Sequence, residues 1–231
     1  MENKIQIIVA AIILVTLAGI GIPLIVGGNG TAVSLIVKDP GAEPYVIPED
    51  TDGVPSWGES ATLSVNVTNV TSMPEIGNIT IDLAAIGGRS ITYMSLVGNY
   101  TESSTLWCMF NHTTNASVGT ANWNGTAYVP HSLQVNATDA RDPANSTFNN
   151  SVSIDLLVMK NGDVQPYEGD GEVDFTHDAL YLVRYTKNVP GYEGIRDTIA
   201  DVTGDGEVDF THDALYLVRH TKNVPGYEVL H

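Results

Sequence analysis

The sequence "GDGEVDFTHDALYLVR" occurs twice near the end of this chain, starting at Gly169 and again at Gly204. The repeat extends further: residues 169–193 and 204–228 agree at 24 of 25 positions, and only Tyr185 and His220 differ. A period of 35 residues could belong to a helical array such as a tetratricopeptide pair. There are only two copies, however, and each opens on an acidic, glycine-bearing loop before any helical pattern begins. Such a unit has too little core to stand alone, so two copies are expected to pack together, with a metal ion offsetting their carboxylate charge.

The second copy reads "DVTGDGEVDFTHDALYLVRH". Asp201, Thr203, Asp205 and Asp209 fall at loop positions 1, 3, 5 and 9. Calcium takes several hard oxygen ligands, and alternate residues of a tight loop can supply them. Gly206 permits the sharp turn, Glu207 would offer its main-chain carbonyl, and Val208 is an apolar residue facing the other loop. Thr211 is expected to cap a helix with Asp213 in its first turn. Ala214, Leu217 and Val218 then form an apolar stripe at helical spacing, and Pro225 with Gly226 stops it. His177 and His212 stand beside aspartates without a further Cys or His at zinc-ligand spacing, which favours solvated histidines over a zinc site.

These residues resemble those of dockerin domains, which carry two calcium-binding loop-helix repeats related to the EF-hand and dock onto cohesin modules of other proteins. The resemblance covers residues 159–231 and implies a small all-α pair with calcium as cofactor and a cohesin-type partner. The chain departs from the family in two places. Loop position 12, where the family has an acid, is His212, and the acid follows at Asp213. One step along a helix turns a side chain by about 100°, so Asp213 needs an adjusted helix start. The first loop carries three additional residues; its candidate ligands are Asp163, Glu168, Asp170, the Glu172 carbonyl, Asp174 and Asp178. Tyr181, Arg184, Tyr216 and Arg219 lie on the less apolar side of the helices and are candidate partner contacts, since Tyr and Arg are common interface anchors.

Ahead of the repeats, residues 29–158 have the period-two pattern of half-buried strands. "ATLSVNV", "NITIDL", "SLQVNAT" and "SVSIDLLV" each alternate apolar and polar residues. Short strands separated by Gly, Pro and Asn point to an all-β sandwich, and the segment resembles the immunoglobulin-like modules of prokaryotic cell surfaces. At least two of Trp57, Trp107 and Trp123 are expected in its core. The combination of segments is similar to archaeal surface proteins, especially those of methanogens.

Residues 1–28 contain an almost unbroken apolar run, Ile5 to Val26, long enough to cross a bilayer. Lys4 before it puts the N-terminus inside and the remainder outside. The run is a membrane anchor or a signal peptide. Asn-X-Ser/Thr triplets start at Asn29, Asn66, Asn69, Asn78, Asn99, Asn111, Asn115, Asn124, Asn136, Asn145 and Asn149, all before the repeats. They point to an extracellular glycoprotein. Asn66 and Asn136 fall on the polar parity of their strands, where a sugar would be tolerated.

The charge balance, 10 Lys+Arg against 27 Asp+Glu, argues against a nucleic-acid partner. Cys108 is the single cysteine, so no intrachain disulfide can form. The sequence suggests no catalytic constellation: His112 and His131 are isolated, and Cys108 has no base near it in sequence. The expected function is therefore binding and assembly at the cell surface through the dockerin-like module. The alternatives are a structural coat or adhesion subunit capped by the repeats and, less favoured, a carbohydrate-active module with a carbohydrate or polysaccharide ligand.

Overall fold

A computed structural model describes residues 35–38, 44–54, 56–69, 76–139 and 150–231. The expected N-terminal membrane helix and the sequons at Asn29, Asn145 and Asn149 lie outside them. Among the described residues no helix is long and apolar enough to cross a membrane.

The chain is mostly β. Its strands are β1 (Leu35–Lys38), β2 (Tyr45–Asp50), β3 (Ser60–Asn69), β4 (Ile76–Ile81), β5 (Thr92–Tyr93), β6 (Ser95–Glu102), β7 (Thr105–Ser117), β8 (His131–Asp139) and β9 (Asn150–Met159). Antiparallel pairing joins β1, β3, β7 and β6 in that order. A second antiparallel run joins β9, β8, β4 and β5. Strand β2 lies parallel to β9 and, through Glu49 and Asp50, parallel to the end of β7, so it links the two runs.

The alternation in the sequence decides which side chains are covered. Leu63, Val65 and Val67 of β3 pack in one cluster with Ile79 and Ile81 of β4, Leu133, Val135 and Ala137 of β8, and Ile154 and Leu156 of β9. Both runs thus supply a single core, consistent with a β-sandwich. Two expectations are corrected. None of the tryptophans is fully buried: Trp57 is 50% exposed, and Trp107 and Trp123 are half-buried. Asn66, despite its polar parity, is buried in a strand flanked by β1 and β7, which leaves no room for a sugar. Asn111 is half-buried. Asn78, Asn99, Asn124 and Asn136 are exposed.

Period two fails at the end of β9, where Leu156, Leu157, Val158 and Met159 are all buried. Leu157 and Met159 face a second cluster, together with Tyr128 and, from the repeats, Val164, Ala179, Leu182, Ile199, Val202, Ala214 and Leu217. The repeats contribute three short helices, α1 (Leu180–Thr186), α2 (Asp197–Ala200) and α3 (Leu215–Thr221). The copies also clasp each other reciprocally: the Lys187 ammonium lies 3.4 Å from the Phe210 ring centre and that of Lys222 lies 3.5 Å from the Phe175 ring centre.

Because Met159 serves the second cluster from the last strand, Met159→Ala is expected to cost about 2–5 kcal/mol. Denaturant unfolding followed by tryptophan fluorescence and by helical circular dichroism should show both midpoints falling together.

Candidate metal centre

Each copy begins its helix with a π-turn, Phe175–Ala179 and Phe210–Ala214. The amide of Ala214 bonds to the Asp209 carbonyl and that of Ala179 to the Asp174 carbonyl, both at 3.1 Å. This wider turn takes up one additional residue. It is the adjusted helix start that the offset from His212 to Asp213 requires, and it turns Asp213 and Asp178 inward, where both are fully buried. The cap also differs from expectation. Asp209, not Thr211, is the N-cap: its Oδ1 accepts from the amides of Thr211 (2.6 Å) and His212 (2.7 Å). Asp174 does the same for Thr176 and His177.

In the second loop, Asp201 Oδ1 accepts from the Asp205 amide (3.2 Å) and its Oδ2 from the Gly206 amide (2.8 Å). Asp213 Oδ1 accepts from the amide and the hydroxyl of Thr203 (3.2 and 3.0 Å), and its Oδ2 from the Asp209 amide (2.8 Å). Asp205 accepts from the Glu207 amide (3.0 Å). The first loop repeats this pattern. Asp163 accepts from the amides of Asp170 (3.1 Å) and Gly171 (2.8 Å), and Asp170 from that of Glu172 (3.0 Å). Asp178 accepts from Val164 (2.9 Å), Gln165 (3.0 Å) and Asp174 (2.8 Å).

The correspondence equates Gln165 with Thr203, because the amide of each donates to the last acid of its own loop. Gln165 is therefore the missing oxygen-bearing side chain of the first loop. Glu168 is not brought to it: it lies in the three-residue insertion, 68% exposed, with Oε2 2.9 Å from Arg196 Nη2. Laying "DVQ" over "DVT" from the front of the loop would have revealed Gln165. Asp174 and Asp209 are also drawn away, since their second oxygens face His177 Nδ1 (2.8 Å) and His212 Nδ1 (2.9 Å). Both histidines are exposed. The backbone amides of His177 and His212, and then these ring contacts, hold the two aspartates below the usual carboxylate range, and the ring contacts raise the histidines.

Burial sets the electrostatics. It pushes Asp178 up to about 7, with the charge of Asp163 adding to the effect. Asp213 is raised by burial too, with Asp201 adding, and Asp163 is raised chiefly by burial. Among the described residues no Lys or Arg forms an ion pair with these four acids. Buried, mutually repelling carboxylates, with Thr203 in one loop and Gln165 in the other as further oxygen-bearing side chains, are a donor set whose chemistry fits a hard divalent cation such as calcium. Asp201, Thr203, Asp205 and Asp213 would hold it in one loop, and Asp163, Gln165, Asp170 and Asp178 in the other. Bound there, the cation would neutralise the acid pairs. Among the described residues no three His, Cys, Asp or Glu side chains are closed up at ligand distances; backbone amides hold them instead.

The expected contact residues form two matching surface clusters. Tyr181 and Tyr192 meet edge to face at 5.2 Å, as do Tyr216 and Tyr227 at 4.8 Å. Arg184 lies over Tyr192 and Arg219 over Tyr227, each also donating to the phenol oxygen beneath it. Tyr181 and Tyr216 are anchored by hydrogen bonds to the carbonyls of Glu193 and Val229. Tyr192 and Tyr227 were not singled out from sequence, although they recur in the repeated "GYE". No protein-family model matches the chain, and no curated protein matches it.

Without a bound cation, burial holds the pKa of Asp178 at about 7 in the folded chain, against 3.8 for an ordinary carboxyl. The folded form then binds more protons than the unfolded form between these values, so stability falls as pH rises through that window. The thermal midpoint of the chain without a cation should drop from pH 5 to pH 8, and saturating calcium should reduce the drop, leaving the part that the raised His177 and His212 contribute.

Proposed function

We propose that residues 159–231 are a calcium-dependent, dockerin-like docking module, carried by an immunoglobulin-like β-module, and that they attach the chain to a cohesin-type partner outside the cell. The observation that carries this reading is the duplication of geometry as well as sequence: two loops with the same acid-to-amide bonds, two π-turns and two Tyr-Tyr-Arg clusters. Exposed sequons at Asn78, Asn99, Asn124 and Asn136 support an extracellular glycoprotein, anchored by the N-terminal run or secreted. Each cluster presents a pre-organised arginine over an aromatic ring, a chemistry common at interface centres. A surface depression beside the first loop, lined in part by Gln165, His177, Tyr181, Arg184 and Tyr192, adjoins one of them.

One observation favours a structural coat or adhesion role. Strand β6 exposes Leu96 and Val97 at 57% and 51%, and Leu106 of β7 is 41% exposed, so this edge offers apolar area for self-association.

The docking reading is tested by measuring calcium-dependent affinity for cohesin-type modules. If either copy can present its cluster, Arg184→Ala and Arg219→Ala should each cost about twofold, from the loss of one of two modes. The double variant should cost about 30-fold or more. Equal affinity with and without calcium, or no binding to any cohesin-type module while the chain self-associates, would favour the structural role.

A further inference from the structure

From Gly169 and Gly204 onward the two loops have the same sequence, yet the β-module meets them with different residues. At the second loop it supplies Ser56 and Trp57. A Cβ placed on Gly206 would meet the Trp57 ring at 3.6 Å, an ordinary contact, while one on Gly204 would lie 2.6 Å from Ser56 Cβ. At the first loop it supplies Tyr128 and Trp123, and here an aromatic ring closes on each of the two glycines. A Cβ on Gly171 would lie 2.6 Å from Trp123 Cγ, and one on Gly169 would lie 2.6 Å from Tyr128 Cε2. Both glycines also have positive φ, +73° at Gly169 and +84° at Gly171. Only glycine satisfies the backbone and the close ring together.

Tyr128 does more than cover the loop. A β-bridge pairs it with Trp123, and the two rings meet edge to face at 5.1 Å. Its ring is buried. Its hydroxyl donates to Asp163 Oδ2 at 2.6 Å and accepts from the Lys160 amide at 3.2 Å. Asp163 thus accepts three hydrogen bonds, one of them from the β-module. Its counterpart Asp201 has the two loop amides and no such hydroxyl among the described residues.

We propose that Tyr128 is a positioning residue of the first metal loop, so that cation binding at this loop, and not at the second, is linked to docking of the repeats on the β-module. The inference rests on the calcium reading of the loops. Groups that orient a metal ligand commonly change affinity by about tenfold to a hundredfold when removed. Linkage makes the coupling reciprocal: whatever factor docking adds to metal affinity, the metal adds to docking.

Terbium, a hard oxygen-seeking cation that emits when a nearby tryptophan is excited, is the probe. Titration of the full chain should give two saturable emission components. Trp123→Phe should remove sensitisation at the first loop and Trp57→Phe at the second, which assigns them. Tyr128→Phe should then weaken the component assigned to Trp123 about tenfold and leave the other unchanged. That intact second component shows that the repeats of the variant remain folded. Unchanged affinity at both loops would overturn the proposal while leaving the metal reading standing. Equal weakening at both loops, or loss of both, would overturn it by making the hydroxyl a general structural support. No saturable emission from the unaltered chain would sink the metal reading and this inference together.

Discussion

Pairs of buried carboxylates, Asp163 with Asp178 and Asp201 with Asp213, are the constraint on which the C-terminal half depends. Each pair ties the start of a loop to the turn that opens the following helix. Backbone amides satisfy the oxygens, but hydrogen bonds do not remove the repulsion between two like charges in a poorly solvated place. The chain can relieve it by retaining protons or by taking up a cation. The glycines, the π-turns and the capping aspartates all serve to bring these carboxylates inward and hold the loop amides toward them.

The remainder of the architecture gives the repeats a floor. Helices of this length are marginal alone, and the repeats gain their core by sharing it with Leu157, Met159 and Tyr128 of the β-module. The last strand is consequently apolar on both faces at its end, one face toward the sandwich-like core and the other toward the repeats. The C-terminal segment is tied down in the same region. The Asn161 amide donates to the His231 carbonyl at 2.7 Å, and His231 Nδ1 lies 2.9 Å from Asp52 Oδ2. The two modules meet through an apolar contact, and the short polar stretch 160–162 joins the last strand to the first loop.

Much of this was legible in the residues, and the failures have physical causes. Strands β3, β4 and β8 could be read from period two because one face of each is covered and the other is not. The end of β9 broke that rule because a second layer covers it, which no local pattern records. Asn66 sat on the polar parity but is buried, since parity tells the face and not what lies over that face. The acids at loop positions 1 and 5 could be read from spacing. The π-turn could not, although the one-residue offset of Asp213 was its signature. Glu168 carries a charge but lies in the insertion, whereas the uncharged Gln165 corresponds to Thr203 only when the loops are matched from their first aspartates. Tyr128, 35 residues from Asp163 in sequence, carried no local signal at all.

The most direct test of the account is the number of calcium ions bound per folded chain, measured by calorimetric titration after metal removal, beside an Asp178→Ala/Asp213→Ala variant. The account predicts two ions for the unaltered chain and a loss of saturable binding in the variant, which lacks one acid of each buried pair. A folded chain that binds no calcium, or a variant that binds as well as its parent, would contradict it. The repeats would then be a metal-free helical cap held by its shared core alone.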